Sequence, residues 1–150
     1  MTSTAIDQLI AASPEAAAKI EHAVNDLKHS LSDYRHAEAD IKHAKKDCEE
    51  AIKVFEHILE DFDHAVADWK NGTAEHAKAD EAHSQDDQSK AESILLHAIK
   101  DIAHSLADFQ HAMSDLAHLE EDIKKVEELA SSHSIAVTAG ELKQYIYNQA

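Results

Sequence analysis

The sequence predicts an all-α protein built around a long antiparallel helical hairpin. Its composition favours helices, because 150 residues contain two glycines and one proline, and no stretch alternates like a β-strand. Twelve of the thirteen histidines have an aspartate four residues later, and these pairs recur in steps of seven. The pairs form two series that mirror each other about Gly72. We therefore expect two helical arms that face each other, each with a stripe of His and Asp.

Helix start and stop signals give the elements in order. Ser13 and Pro14 predict a helix start, and Gly72 suits the left-handed conformation that ends a helix. Thr73 is a candidate cap for the second arm, and a capping box begins at Thr138. The length predicts a single helical domain. Its predicted elements within 1–150 are a short helix over 1–12, a long helix over 14–70, a turn over 71–73, a second long helix over 74–130 and a short helix over 138–149.

Each His–Asp pair of the first arm has a counterpart on the second arm. In every layer, the residue number of the first-arm His and that of the Asp facing it add up to the same total. One heptad lacks the pair on both arms, and there Glu50 and Lys90 stand in the place of the histidine. Two facing pairs supply two imidazole nitrogens and two carboxylate oxygens, a set that suits Zn, Cu, Ni or Co as divalent ions. The six predicted metal-binding layers are His22, Asp26, His118 and Asp122; His29, Asp33, His111 and Asp115; His36, Asp40, His104 and Asp108; His43, Asp47, His97 and Asp101; His57, Asp61, His83 and Asp87; and His64, Asp68, His76 and Asp80.

The pattern differs from ordinary surface ion pairs. All twelve partners are Asp, although Glu is as common in the chain and is the better helix former. An acid placed after the histidine is also the less favourable order for a helix pair. We therefore expect about six divalent transition-metal ions per chain, for storage, buffering or sequestration. Two alternatives remain. In the first, the His–Asp layers form hydrogen bonds without metal and act as a pH-responsive structural zipper. In the second, pairs of histidines bind haem, although haem needs an apolar slot that the stripe lacks.

The histidine heptads resemble a known family. The segments IEHAV at 20–24 and KDIAHSLAD at 100–108 are similar to the repeats of small histidine-heptad metal-binding proteins of nitrifying bacteria, over residues 20–125. The resemblance implies an exported helical hairpin or bundle that binds several divalent metals, copper especially.

Charge and motifs exclude several functions. A formal charge of −16 argues against nucleic acid and anionic membrane surfaces as partners, and no apolar run approaches a membrane span. No catalytic motif stands out, so we expect no enzyme; a closed layer of four ligands favours capacity over catalysis. The start of the sequence carries no signal peptide, so we expect a cytoplasmic location, or a periplasmic one if a signal was removed.

Apolar residues fill the first, second and fifth places after each histidine and predict one apolar face per arm. The first arm ends in five large apolar residues, whereas the start of the second arm, over 74–89, is polar or alanine. Such an unmatched surface favours association, so we expect a homodimer that forms a four-helix bundle. The five residues are Phe55, Leu59, Phe62, Val66 and Trp69.

Overall fold

The computed structural model describes residues 4–150, which form α-helices without any β-strand. The predicted all-α class is confirmed, and the long helices end within two residues of the predicted bounds. The first three residues of the helix expected over 1–12 lie outside the described residues. The helices are α1 (Ala5–Ala12), α2 (Pro14–Asn71), α3 (Ala74–Ser132) and α4 (Ala139–Gln149).

Most of the expected helix caps are present. The amide of Ala16 donates to the Ser13 hydroxyl at 3.1 Å, and Thr138 opens a full capping box with Glu141. Gly72 adopts a φ of 77°, the left-handed value expected of a helix end. The expected cap by the Thr73 side chain is not seen. Its hydroxyl donates back to Asp68 of α2 instead, and the Thr73 amide donates to the Asp68 carbonyl at 2.9 Å.

The described residues divide into two compact units, and both long helices contribute to each. Unit 1 is Met1–His36 with Ala107–Ala150, and unit 2 is Ala37–Leu106. That the whole chain forms one domain stays a prediction. None of the four helices in the described range has both the length and the apolar character needed to cross a membrane.

Unit 1 has a conventional hydrophobic core. Here α1 and α4 pack against the apolar faces of α2 and α3, and Leu9 and Leu142 are fully buried. Val24 lies at the second position after a histidine and Ile20 at the equivalent of the fifth position, and this packing buries both. Each large aliphatic side chain buried in this way contributes on the order of 2 kcal/mol to folding. The other large members of the core are Ile6, Leu119, Ile123, Val126 and Ile146.

Unit 2 is held together differently, by a seam of small residues between α2 and α3. Each member of this alanine seam directly follows a histidine, or Glu50 or Lys90 in the skipped heptad; among the residues at this position, the half-buried Ile58 and Ser84 are the exceptions. Small side chains allow two helices to approach closely. The single apolar face expected from the sequence is therefore split in unit 2. Most side chains at the first position after a histidine are buried, whereas most side chains at the second and fifth positions are exposed. The alanine seam consists of Ala37, Ala44, Ala51, Ala65, Ala77, Ala91, Ala98 and Ser105.

Candidate metal centres

The histidines and aspartates lie along the edge of the contact between α2 and α3, beside the alanine seam. In unit 2 the two residue types differ in exposure. The His57 side chain is 49% exposed, whereas that of Asp61 is 11% exposed. The carboxylates thus lie beneath the imidazoles, partly shielded from water, where an ion would interact with them more strongly.

The layer of His57, Asp61, His83 and Asp87 brings all four predicted ligands together. One donor atom from each residue lies within 4.8 Å of all the others. Nδ1 of His57 donates to Asp87 Oδ2 at 2.7 Å, and Nδ1 of His83 donates to Asp61 Oδ2 at 2.8 Å. The Asp61 oxygen is also 3.5 Å from Nδ1 of His57. A tetrahedral ion with bonds of about 2.0 Å needs ligand atoms about 3.3 Å apart. This separation lies between the 2.7 Å and 3.5 Å contacts of the layer.

A second layer in unit 2 contains His43, Asp47, His97 and Asp101. Nδ1 of His97 donates to Asp47 Oδ2 at 2.6 Å. The Asp101 Oδ2 atom lies 3.4 Å from Nδ1 of His43 and 3.6 Å from Nδ1 of His97. Three of the four residues, without Asp47, have donor atoms within 4.8 Å of one another. The geometry fits an ion between two imidazoles and one carboxylate.

The layer nearest the turn converges through Asp68, His76 and Asp80. Nδ1 of His76 donates to Asp68 Oδ2 at 2.7 Å, and the Thr73 hydroxyl donates to the other carboxylate oxygen at 3.1 Å. His64, the fourth predicted ligand, is not part of this group in the described residues.

In unit 1 the terminal layer converges through His22, Asp26 and Asp122. Nδ1 of His22 donates to Asp122 Oδ2 at 2.6 Å and lies 3.3 Å from Asp26 Oδ2. Lys19 was not predicted as part of this site, yet its Nζ donates to Asp122 Oδ1 at 2.9 Å. Its signal was present, because Lys19 occupies the heptad place that Asp fills in the layers. A tethered cation therefore already neutralises part of this site. His118 stays outside the converging group among residues 4–150.

The remaining predicted ligands are less closely placed. In unit 1, Nδ1 of His111 is 3.9 Å from Asp33 Oδ2, and no tighter group forms there with His29 or Asp115 within the described chain. The layer of His36, Asp40, His104 and Asp108 falls at the boundary of the two units and stays a prediction.

The observed His–Asp contacts between α2 and α3 follow the predicted register. Each joins a histidine to the aspartate that the mirror pattern assigns to it, and none joins residues of different layers in the part of the chain that the structure describes. The pairs are His22–Asp122, His43–Asp101, His57–Asp87, His76–Asp68, His83–Asp61, His97–Asp47 and His111–Asp33.

Three carboxylate oxygens in these layers are buried and accept no well-formed hydrogen bond among the described residues, although two of them lie 3.3 Å and 3.4 Å from an imidazole Nδ1 of their own layer. They are Oδ2 of Asp26, Asp80 and Asp101, and each belongs to a different converging group. A buried acceptor that lacks a partner costs on the order of 1–3 kcal/mol, more if it is charged. A bound cation would remove this cost, so the orphaned oxygens fit a metal ion.

Hydrogen bonds across the layers shift the pKa of several histidines. In each case the bond to an aspartate of the facing helix is the main cause, and nearby carboxylate charges add to it. The pKa is raised above the ordinary histidine value for His76 by Asp68, for His83 by Asp61 and for His97 by Asp47.

Two aspartates show the reciprocal effect. Burial raises the pKa of Asp122, but hydrogen bonds from Lys19 and His22 outweigh it and leave the pKa below its ordinary value. The hydrogen bond from His76 lowers the pKa of Asp68. Both carboxylates are therefore ionised near neutral pH, as metal ligands must be.

No protein-family model, curated protein or solved structure matches this chain. The resemblance to histidine-heptad proteins accordingly stays a prediction.

Proposed function

We propose that this protein binds several divalent transition-metal ions in layers of two histidines and two aspartates. The observation that carries the proposal is the layer of His57, Asp61, His83 and Asp87, where four donor atoms meet within 4.8 Å. The orphaned oxygens of three other groups support it independently. With all six layers loaded, the capacity is about six ions per chain.

The donor set and the charge indicate which ions and which role to expect. Imidazole with carboxylate suits Zn(II), Cu(II), Ni(II) and Co(II). Six divalent ions add twelve positive charges to a chain of formal charge −16, which relieves repulsion among the carboxylates. A layer in which all four predicted residues bind the ion leaves no open position for a substrate, so we propose storage, buffering or sequestration rather than catalysis.

A second candidate function is a pH-responsive structural zipper without metal. The observation in its favour is the set of short hydrogen bonds across the layers, such as that of His97 to Asp47 at 2.6 Å. These bonds are strongest when the histidine is protonated, and the raised pKa of His97 favours that state.

Metal titration of the full chain without a histidine tag separates the two functions. Purified protein is stripped with a chelator, titrated with Zn(II) by calorimetry, and analysed for bound metal by elemental analysis. We expect saturation near six ions per chain, and Co(II) should give the intense visible bands of tetrahedral sites. Saturation at none or one would overturn the metal proposal and favour the zipper.

We also propose that the functional form is a homodimer. Unit 2 leaves large apolar side chains exposed on both long helices, and a bundle of four helices is the usual way to cover such faces.

A further inference from the structure

The strongest unexplained surface is a strip of large apolar residues on α2 in unit 2. Their spacing along the helix alternates between three and four residues, which is the spacing of a coiled-coil seam. Two of them, Leu59 and Phe62, are 65% and 63% exposed. This α2 strip consists of Ile52, Phe55, Leu59, Phe62, Val66 and Trp69.

In unit 1 the chain itself covers the same heptad places near the start of α2, whereas Leu31 and Tyr34, further along α2, are exposed. Ile20 and Val24 of α2 occupy the fifth and second places and are buried in the core that includes α1 and α4. Unit 2 contains only α2, α3 and the turn between them. The heptad pattern of α2 therefore continues into unit 2, but no short helix of unit 2 covers it.

The neighbouring helix of unit 2 does not cover the α2 strip either. At the matching places near the turn, α3 carries exposed polar residues: Lys78, Glu81, Gln85 and Gln88. The apolar surface near the turn is consequently one helix wide, bordered by polar side chains on α3. A narrow, straight seam of this kind fits another helix with the same seam better than it fits a flat apolar surface.

We propose that the α2 strip binds the α2 strip of a second copy of this chain, in an isologous contact about a two-fold axis. The size of the surface supports this occupant. Six side chains that are about half exposed offer on the order of 600 Å² of apolar area. A standard interface buries about 800 Å² per partner, of which roughly two thirds is apolar at its core. The largest apolar patch of an ordinary monomer is about 300–600 Å².

The proposed contact leaves the metal layers free. On a helical wheel Phe62 lies about 140° from His57, so pairing through the α2 strip does not cover the imidazoles. This inference deepens the homodimer part of the proposed function and does not depend on metal binding. A chain that dimerises but binds no metal would refute the metal proposal alone.

The test is the molecular mass of the metal-free full chain at micromolar concentration, measured by sedimentation equilibrium. We expect twice the chain mass of 16.6 kDa. Phe62→Glu should weaken dimerisation by about a hundredfold or more, because an unpaired carboxylate would be buried in the seam. Ala67→Glu is the matched control, since it adds the same charge to an exposed position on the same helix but away from the strip.

Circular dichroism checks that each variant keeps its helices, which is expected because Phe62 is exposed within one chain. A wild-type monomer would overturn the proposal, and so would a Phe62→Glu chain that remains dimeric. Ile102→Glu, on the exposed face of α3, tests the assignment to α2. If Ile102→Glu gives monomers while Phe62→Glu does not, the contact is made by α3 and the α2 pairing is wrong.

Discussion

His83 and Asp61 lie on different long helices, and Nδ1 of His83 donates to Oδ2 of Asp61 across 2.8 Å. The same oxygen lies 3.5 Å from Nδ1 of His57, four residues earlier on its own helix. One carboxylate thus meets two imidazoles, one along the helix and one across the pair of helices. This arrangement explains why the partner is Asp, whose short side chain holds the carboxylate close to its own backbone and limits where it reaches.

Asp61→Asn should remove one metal site and leave the others intact. The amide keeps the size of the side chain but loses the negative charge that a divalent ion needs. Elemental analysis should show a loss of about one ion per chain. Asp63→Asn is the matched control, because it makes the same chemical change at an exposed position outside the layers. Equal losses in the two variants would mean that net charge, not the layer, decides capacity.

Pairs of histidine variants test the register within unit 2. His43→Ala/His97→Ala removes both imidazoles from one layer, whereas His43→Ala/His83→Ala damages two layers. Metal capacity should fall by about one ion in the first case and about two in the second, since loss of one ligand in four weakens a site strongly. Glu50→Gln/Lys90→Gln, in the skipped heptad, should leave capacity unchanged. Identical losses in the two histidine variants would show that the layers are paired differently.

The metal-free and metal-loaded chains should respond to pH in opposite directions. The pKa values of His76, His83 and His97 are raised in the folded state. Their hydrogen bonds therefore stabilise the metal-free fold fully below the ordinary histidine value of about 6.5, and this stability is lost as pH rises through the raised values. Because these side chains are largely exposed, the fall in Tm should be a few degrees.

In the metal-loaded chain the imidazoles must be neutral, so Tm should rise over the same interval and metal should be released as pH falls below about 6. Thermal melts with and without Zn(II), from about pH 5 to pH 9, give both curves. Metal that stays bound at about pH 4 would contradict imidazole ligation.

Ala77→Leu should disturb both the fold and the layer nearest the turn. Ala77 is fully buried in the alanine seam, so a larger side chain forces α2 and α3 apart at a cost of about 1–3 kcal/mol. The separation should also draw His76 away from Asp68 and reduce capacity by about one ion. Ala79→Leu, at an exposed position on the same helix, is the control and should change neither Tm nor capacity. If Ala77→Leu keeps full stability, the seam does not set the helix spacing.

Lys19→Met should strengthen metal binding at the terminal layer. The Lys19 ammonium binds Asp122 at 2.9 Å and competes with a divalent ion for the same carboxylate. Removing this partly exposed ion pair should tighten binding at the terminal layer about two- to fivefold. Calorimetric titration measures this change, and Lys28→Met, an exposed lysine outside the layers, should have no effect. Weaker binding in Lys19→Met would show that Lys19 orders the carboxylate rather than blocking it.

The repeat of seven and its mirror about Gly72 were sufficient to predict the two long helices and the facing His–Asp pairs that the structure shows, and the capping signals predicted where the helices end. The split of the apolar face was not predicted, because a helical wheel gives sectors but does not say which sector meets the other helix. The sequence did contain a signal for the buried sector, because the residue directly after a histidine is usually small, as at Ala65 and Ala98. Ile58 is an exception to this pattern. The sequence also could not show how closely each layer converges, since this depends on rotamers that a regular repeat leaves open.

The antiparallel course of α2 and α3 gives the layers very different sequence separations. His76 and Asp68 are 8 residues apart, whereas Lys19 and Asp122 are 103 apart. The entropy lost on closing a loop grows with the logarithm of its length, so contacts near Gly72 form at the lowest cost. We expect folding to begin at the turn and to advance like a zipper toward both termini. The core that joins α1 and α4 closes the longest loop and forms last, after most of the ligand layers have assembled.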